Sequence, residues 1–331
     1  MNTTNSIINN YKERVFGKEK RFYIMGISII WIILMHFYCW FQGKLPWWIY
    51  FFSEGQTGVD ILLFLSAYGL EASLSKNSLL SFYKNRAKRI LPVYILFLTF
   101  LFSFFYNDIP IGDILRQCIA QLTGLSLFQD DSFFSTGFLF DWFTPALITY
   151  YILFPFISCG LNFLLSKYDK VEVPLFISIM LFSLFALRVV QIPITALIYR
   201  LPIIFLGART YTHLNHNNTN RLFTLYVVSF IGGLLCNKEY VLTSVIIPSL
   251  LVLFSMARIR YPFFKTVSLI GHHSYEIYLA HLFPVTNFFM LYIFNNIITY
   301  IFVTIIWTIV IATLFSIISK YSFNLFTLKK I

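Results

Sequence analysis

Residues 22–41 read FYIMGISIIWIILMHFYCWF, and residues 300–318 read YIFVTIIWTIVIATLFSII. Each run is apolar on every face and long enough to cross a hydrocarbon core of about 30 Å as a helix that rises about 1.5 Å per residue. A membrane barrel would instead show short segments of alternating polarity. Similar runs recur along the chain. Of its 331 residues 58% are hydrophobic and 12% charged, about half the charged share of an ordinary soluble domain, so a soluble fold has nowhere to hide this much apolar surface. The expected fold is therefore all-α: a polytopic transmembrane helical bundle. The first run is too long for a signal peptide, lacks a small-residue cleavage pattern and runs directly into Trp40 and Phe41, so it reads as a retained span.

About ten spans are expected, near 22–41, 57–74, 90–106, 142–165, 174–190, 200–212, 222–236, 241–257, 268–292 and 297–318. With the N-terminus inside, twenty of the 25 Lys and Arg residues fall on the cytoplasmic side, leaving Lys44, Arg116, Arg188, Arg200 and Lys238 outside. This is the positive-inside distribution, and it accounts for the net charge of +11 without any nucleic acid. Both termini are expected in the cytoplasm, and the whole of 1–331 reads as one domain: a basic tail over 1–21, the bundle over 22–318 and a tail over 319–331. Ile114 to Phe128, apolar but broken by Arg116, Gln117, Gln121 and Gly124, reads as an external interfacial or re-entrant piece. Asp130, Asp131 and Asp141 would give that face an acidic cluster. The four cysteines lie far apart with no CxxC pair, so buried structural thiols are expected and no metal site.

Ionisable groups inside spans are costly, so each is a candidate for function and needs a partner. His36 lies 15 residues beyond Arg21, which a helix converts to a height of about 22 Å. A neutral imidazole there suits proton acceptance from a sugar hydroxyl attacking a thioester, although on its own it also reads as a hydrogen-bonded structural group. The segment GVDILLFLSAYGL, 58–70, adds Asp60 and a small-residue Ser66-Ala67-x-Gly69 stretch that lets helices approach closely. In FYKNRAKRILPVY, 82–94, Arg86 and Arg89 stand three apart on one helical face, a geometry suited to phosphate and equally to topological anchoring.

In this order these residues resemble the acyltransferase 3 family of integral-membrane O-acyltransferases. Two further segments carry the likeness: DWFTPALITYYILFP at 141–155 and SLIGHHSYEIYLAH at 268–281. The resemblance implies a multi-pass protein of the bacterial inner membrane that takes an acyl group, most simply acetyl, from cytoplasmic acetyl-CoA to a hydroxyl of a cell-surface glycan or its lipid-linked precursor. It implies Arg86 and Arg89 as grips for the CoA phosphates, and His36 as catalytic base or transient acyl acceptor. The family's Arg eleven residues before the catalytic His is Met25 here, with Arg21 the nearest substitute one turn lower. Ser66, Tyr150 and Tyr278 fall in the same motifs as supporting residues. Glu276 and His281 are expected to orient the acceptor, pack helices or close a polar network with Asp60. Asp141 and Trp142 would present a carboxylate beside an aromatic platform to a sugar ring, a position where Trp also occurs without any ligand.

Two other functions share this composition. A flippase or transporter of lipid-linked glycan would show paired broken helices and an internal repeat, and no repeat is evident. A glycan polymerase would carry a long external loop rich in Arg, whereas 107–141 holds only Arg116.

Overall fold

The computed structural model describes residues 17–40, 47–105, 110–128, 141–168, 170–189, 194–236, 263–286 and 297–328. Among these no strand occurs, and the chain forms α1 (Lys18–Trp40), α2 (Gln56–Leu74), α3 (Leu79–Phe105), α4 (Ile111–Thr123), α5 (Phe143–Lys167), α6 (Glu172–Val189), α7 (Ile194–Ile198), α8 (Leu201–Asn215), α9 (Thr219–Cys236), α10 (Phe264–His272), α11 (Ser274–Thr286) and α12 (Ile297–Leu328). Five stretches are long and apolar enough to cross a membrane: Lys18–Cys39, Phe51–Leu74, Phe143–Lys167, Glu172–Val189 and Ile298–Lys320. The expected eighth span and the pair Asp130 and Asp131 lie outside the described residues. The expected ninth span is interrupted at His273, where α10 gives way to α11.

Burial in this molecule is inverted with respect to a water-soluble protein. On α12, Ile298, Phe302, Ile305, Ile306, Ile309, Val310, Leu314 and Ile317 all face outward. On α4, Ile111, Leu115 and Ile119 are exposed while Gln117 and Gln121 are buried. Water penalises such an apolar exterior, whereas hydrocarbon is its natural solvent, so the pattern identifies a multi-pass membrane protein. The expected interfacial segment is thus a short amphipathic helix, ended by Gly124 at φ +79° in the left-handed region that favours glycine. Three cysteines among the described residues depart from expectation: Cys39 and Cys159 lie on exposed faces, and Cys118 is partly covered. In a membrane such a face is apolar, so burial inside the protein is not required of a thiol.

Where lipid surrounds the helices, packing rather than hydrophobic expulsion selects which faces meet, and small residues set the closest crossings. Gly26 of α1 and Gly271 of α10 face one another. A β-carbon on Gly26 would strike the Val267 carbonyl, and one on Gly271 would sit 2.6 Å from the Gly26 nitrogen. Gly207 of α8 meets α2 in the same way, with Ala67 Cβ at 2.9 Å from its would-be β-carbon. Within the Ser-Ala-x-Gly stretch the close approach therefore belongs to Ala67. Gly69 faces open space and contributes its carbonyl instead, as described below.

Candidate active site

Three guanidinium groups gather at one end of the bundle. Arg86 and Arg89 lie on the early turns of α3, and Arg21 on the first turns of α1. Arg86 donates from Nη2 to the Gly69 carbonyl at 3.2 Å and lies 5.6 Å from the ring centre of Phe82 and 5.7 Å from that of Tyr151. Arg21 sits 5.7 Å from the ring centre of Tyr68, the neighbour of Gly69. The ion pairs among the described residues are Arg200–Asp60, Arg209–Glu172 and His213–Glu172, so none of these three arginines is neutralised by a carboxylate. The Nε atoms of Arg21 and Arg86 are buried without a hydrogen-bond partner. Burial holds the Arg86 guanidinium below its ordinary range, and the charge of Arg89 adds to that while Tyr151 opposes it. Cations crowded together with donors to spare form an anion-binding arrangement.

A narrow cleft lies beside Arg89. Arg89, Ile90 and Ser66 line it beside Met25, and Phe143, Leu147 and Tyr278 continue it. Ser66 is half-buried on its wall. Met25 lines this cleft too, so an apolar thioether stands beside Arg89.

Beyond the cleft lie two imidazoles. His36 of α1 and His281 of α11 have ring centres 5.2 Å apart, and the Tyr278 ring lies 5.4 Å from His281 on another side. His281 is fully buried; its Nδ1 faces the Ile277 carbonyl at 3.3 Å, one turn earlier, and its Nε2 has no partner. Pro284 lies inside α11 three residues later.

The remaining polar groups form a buried layer beside this pair. Asp60 of α2 accepts from Arg200 Nε at 2.6 Å, and the Arg200 guanidinium is stacked 4.4 Å from the Trp142 ring centre and 4.0 Å from that of Tyr199. Arg200 also donates to the Ala196 carbonyl at 3.0 Å, and Tyr150 donates to the Leu197 carbonyl at 2.5 Å, which fixes the turn that presents Arg200. Asp141 caps α5 by accepting from Thr144 N at 3.1 Å and accepts from the Tyr278 hydroxyl at 3.1 Å. A second network, Glu71–Ser158 and Arg209–Glu172–His213 bridged by Asn162, joins α2, α5, α6 and α8. Its side chains are mutually satisfied, and it reads as a helix clamp.

The structure therefore brings His36, His281 and Tyr278 together, places Asp141 behind Tyr278, and clusters Arg21, Arg86 and Arg89 elsewhere. It corrects the expected network of Glu276 and His281 with Asp60: the partner of Asp60 is Arg200, while half-buried Glu276 stands near His272 and Tyr275. The Trp142 platform is likewise covered on one face by Arg200. Arg200, expected as an external topological charge, is instead buried in its pair with Asp60. A carboxylate in an apolar helix demands a cation, and that demand was the signal pointing to it. Among the described residues no group of three or more His, Cys, Asp and Glu side chains has the makings of a metal site.

A bundle with an apolar exterior, a cationic end and an imidazole pair of one buried and one half-buried ring defines a multi-pass membrane protein. The family model of the acyltransferase 3 domain, described as "Acyltransferase domain", matches residues 23–319, and the chain belongs to that family. No curated protein and no solved structure matches the chain. It is a membrane acyltransferase.

Proposed function

We propose that the protein is an O-acetyltransferase that carries an acetyl group from cytoplasmic acetyl-CoA to a hydroxyl of a cell-surface glycan or its lipid-linked precursor. The observation that carries this reading is the cleft lined by both Arg89 and Tyr278, whose ring lies 5.4 Å from the His281 ring of the imidazole pair. CoA is a large polyanion with a thin pantetheine arm. Unneutralised arginines suit its phosphates, and a narrow cleft suits the arm. His36 lies 15 residues further along α1 than Arg21, a rise of about 22 Å, so the donor's charged part and its thioester occupy opposite ends of one path.

In this reading the arginine end is cytoplasmic, with both termini on that side, ten spans, one domain over 1–331 and a bacterial inner membrane as the setting. His36 accepts the proton of the acceptor hydroxyl as its oxygen attacks the thioester carbonyl. The C–S bond breaks, and the proton leaves on the CoA thiolate. Asp141, Trp142, Tyr150 and the Asp60–Arg200 pair shape the acceptor side.

The test is an NMR comparison of surface polysaccharide from hosts carrying wild type, His36→Ala or no gene. Acetyl signals with wild type alone support the assignment and identify the acceptor hydroxyl. Acetyl signals that persist with His36→Ala overturn the role of His36. No acetyl in any strain, with altered chain length or export, overturns acyl transfer in favour of a polymerase or flippase.

A further inference from the structure

We infer that His281 is a positioning residue that holds the second ring nitrogen of His36 during proton transfer, so that the site works as an imidazole pair. The inference rests on the acyl-transfer reading above and deepens it.

Three observations converge. First, the tautomer of His281 is set by its own helix. Its Nδ1 faces the Ile277 carbonyl at 3.3 Å, and a carbonyl can only accept, so Nδ1 carries the hydrogen and Nε2 presents a lone pair. Second, that lone pair is buried without a donor. Buried polar atoms are nearly always paired, and one held open beside a reaction site is poised for a partner that arrives during the reaction. Third, the neighbour is His36, with ring centres 5.2 Å apart and planes inclined at 46°. A ring nitrogen lies about 1.1 Å from its ring centre, so facing nitrogens at this separation come within about 3 Å, a hydrogen-bond length.

Turning the His36 ring about its Cβ–Cγ bond closes the contact while the His281 ring keeps its hold on the Ile277 carbonyl, with the His36 N–H donating to His281 Nε2. This fixes the complementary tautomer of His36: the nitrogen bonded to His281 keeps its hydrogen, and the other is left as the base. When His36 takes the proton of the acceptor hydroxyl it becomes an imidazolium in an apolar bundle, and His281 Nε2 accepts the hydrogen bond from that cation. The proton then passes to the CoA thiolate as the ester forms, and both rings return to their starting state. In serine hydrolases a carboxylate orients the catalytic imidazole in this way. Here the orienting group is neutral, which avoids burying a further charge in hydrocarbon.

The experiment measures transfer from radiolabelled acetyl-CoA to host polysaccharide in inverted membrane vesicles, for wild type, His281→Leu and His281→Gln. Leu fills the space without an acceptor, whereas Gln returns an acceptor oxygen near the Nε2 position. His281→Leu is expected to lower kcat about 100-fold with KM for acetyl-CoA unchanged, and His281→Gln to recover about tenfold of that loss. Unchanged kcat in His281→Leu overturns the inference. So does an equal loss in both variants, because a role in packing alone does not distinguish an acceptor from a methyl group. Should neither variant accumulate in membranes, the wild type decides. Nitrogen-15 NMR of histidine-labelled wild type should show Nδ1 of His281 protonated and its Nε2 bare, which supports the pair, and a hydrogen on Nε2 overturns it. Failure of the wild type to label any polysaccharide overturns the acyl-transfer reading itself, a result that no behaviour of the variants imitates.

Discussion

Arg200 donates to Asp60 at 2.6 Å with both side chains withdrawn from the surface, so a cation from the start of α8 neutralises a carboxylate of α2 inside the bundle. The two residues are 140 positions apart in the chain. Removing one partner of such a pair leaves an uncompensated buried charge, which costs about 3–5 kcal/mol, whereas replacing both by apolar groups is close to neutral. Asp60→Ala and Arg200→Ala should each lower the melting temperature of the detergent-purified protein sharply. The double change Asp60→Leu with Arg200→Met should restore most of it. A double variant no more stable than the singles would show that Arg200 is held chiefly by its stacking on Trp142 and Tyr199.

The facing glycines of α1 and α10 carry a second expectation. Because a β-carbon on Gly271 would collide with the Phe22 carbonyl and the backbone of Gly26, Gly271→Ala must push the helices apart. Overpacking of this kind costs about 1–3 kcal/mol. The α1 crossing also sets where His36 stands. Folded Gly271→Ala protein should therefore show reduced kcat as well as reduced thermal stability. By contrast Gly69→Ala, inside α2 where the β-carbon meets open space, should leave stability unchanged or raise it by up to about 1 kcal/mol.

How much of this was legible beforehand follows from what sequence spacing encodes. The apolar runs announced the helices, and the turn-by-turn height of His36 above Arg21 came directly from helical rise, because both lie on α1. The pairing of Arg86 with Arg89 was legible for the same reason. Relations between helices were not. Nothing in the spacing of His36 and His281 states that α1 and α11 bring them side by side, and Asp60 announced the need for a partner without naming Arg200. The break at His273 falls in the polar stretch GHHSYE, 271–276, which reads equally well as the solvated start of one continuous span. The surface position of Cys159 was missed because inside and outside are both apolar in a membrane.

The base role of His36 leads to a prediction about magnitude. General-base assistance contributes about 10²–10⁴-fold to rate. His36→Ala should therefore cut the kcat of acyl transfer by at least about 100-fold in membrane vesicles, with the amount of inserted protein and the binding of acetyl-CoA unchanged. A loss appearing in KM for acetyl-CoA alone would move His36 from proton transfer to donor binding.

The arginine cluster separates binding from folding. Arg89 is exposed and lines the cleft, whereas Arg86 is half-buried and also holds the Gly69 carbonyl. A charge-assisted phosphate contact is worth about 1.5–3 kcal/mol. Arg89→Ala should then weaken acetyl-CoA binding about tenfold or more in isothermal titration while leaving the melting temperature near that of wild type. Arg86→Ala should weaken binding comparably and lower stability as well, since the Gly69 carbonyl loses its donor and the aromatic faces of Phe82 and Tyr151 lose their cation. Lysine substitutions discriminate further: a lysine keeps the charge but not the two-pronged donor geometry, so Arg89→Lys should recover only part of the affinity. Raising salt should weaken wild-type binding more than that of Arg89→Ala, because the variant has one fewer exposed charge to screen. Unaltered affinity in both alanine variants would assign these residues to membrane topology and place the donor's phosphates elsewhere.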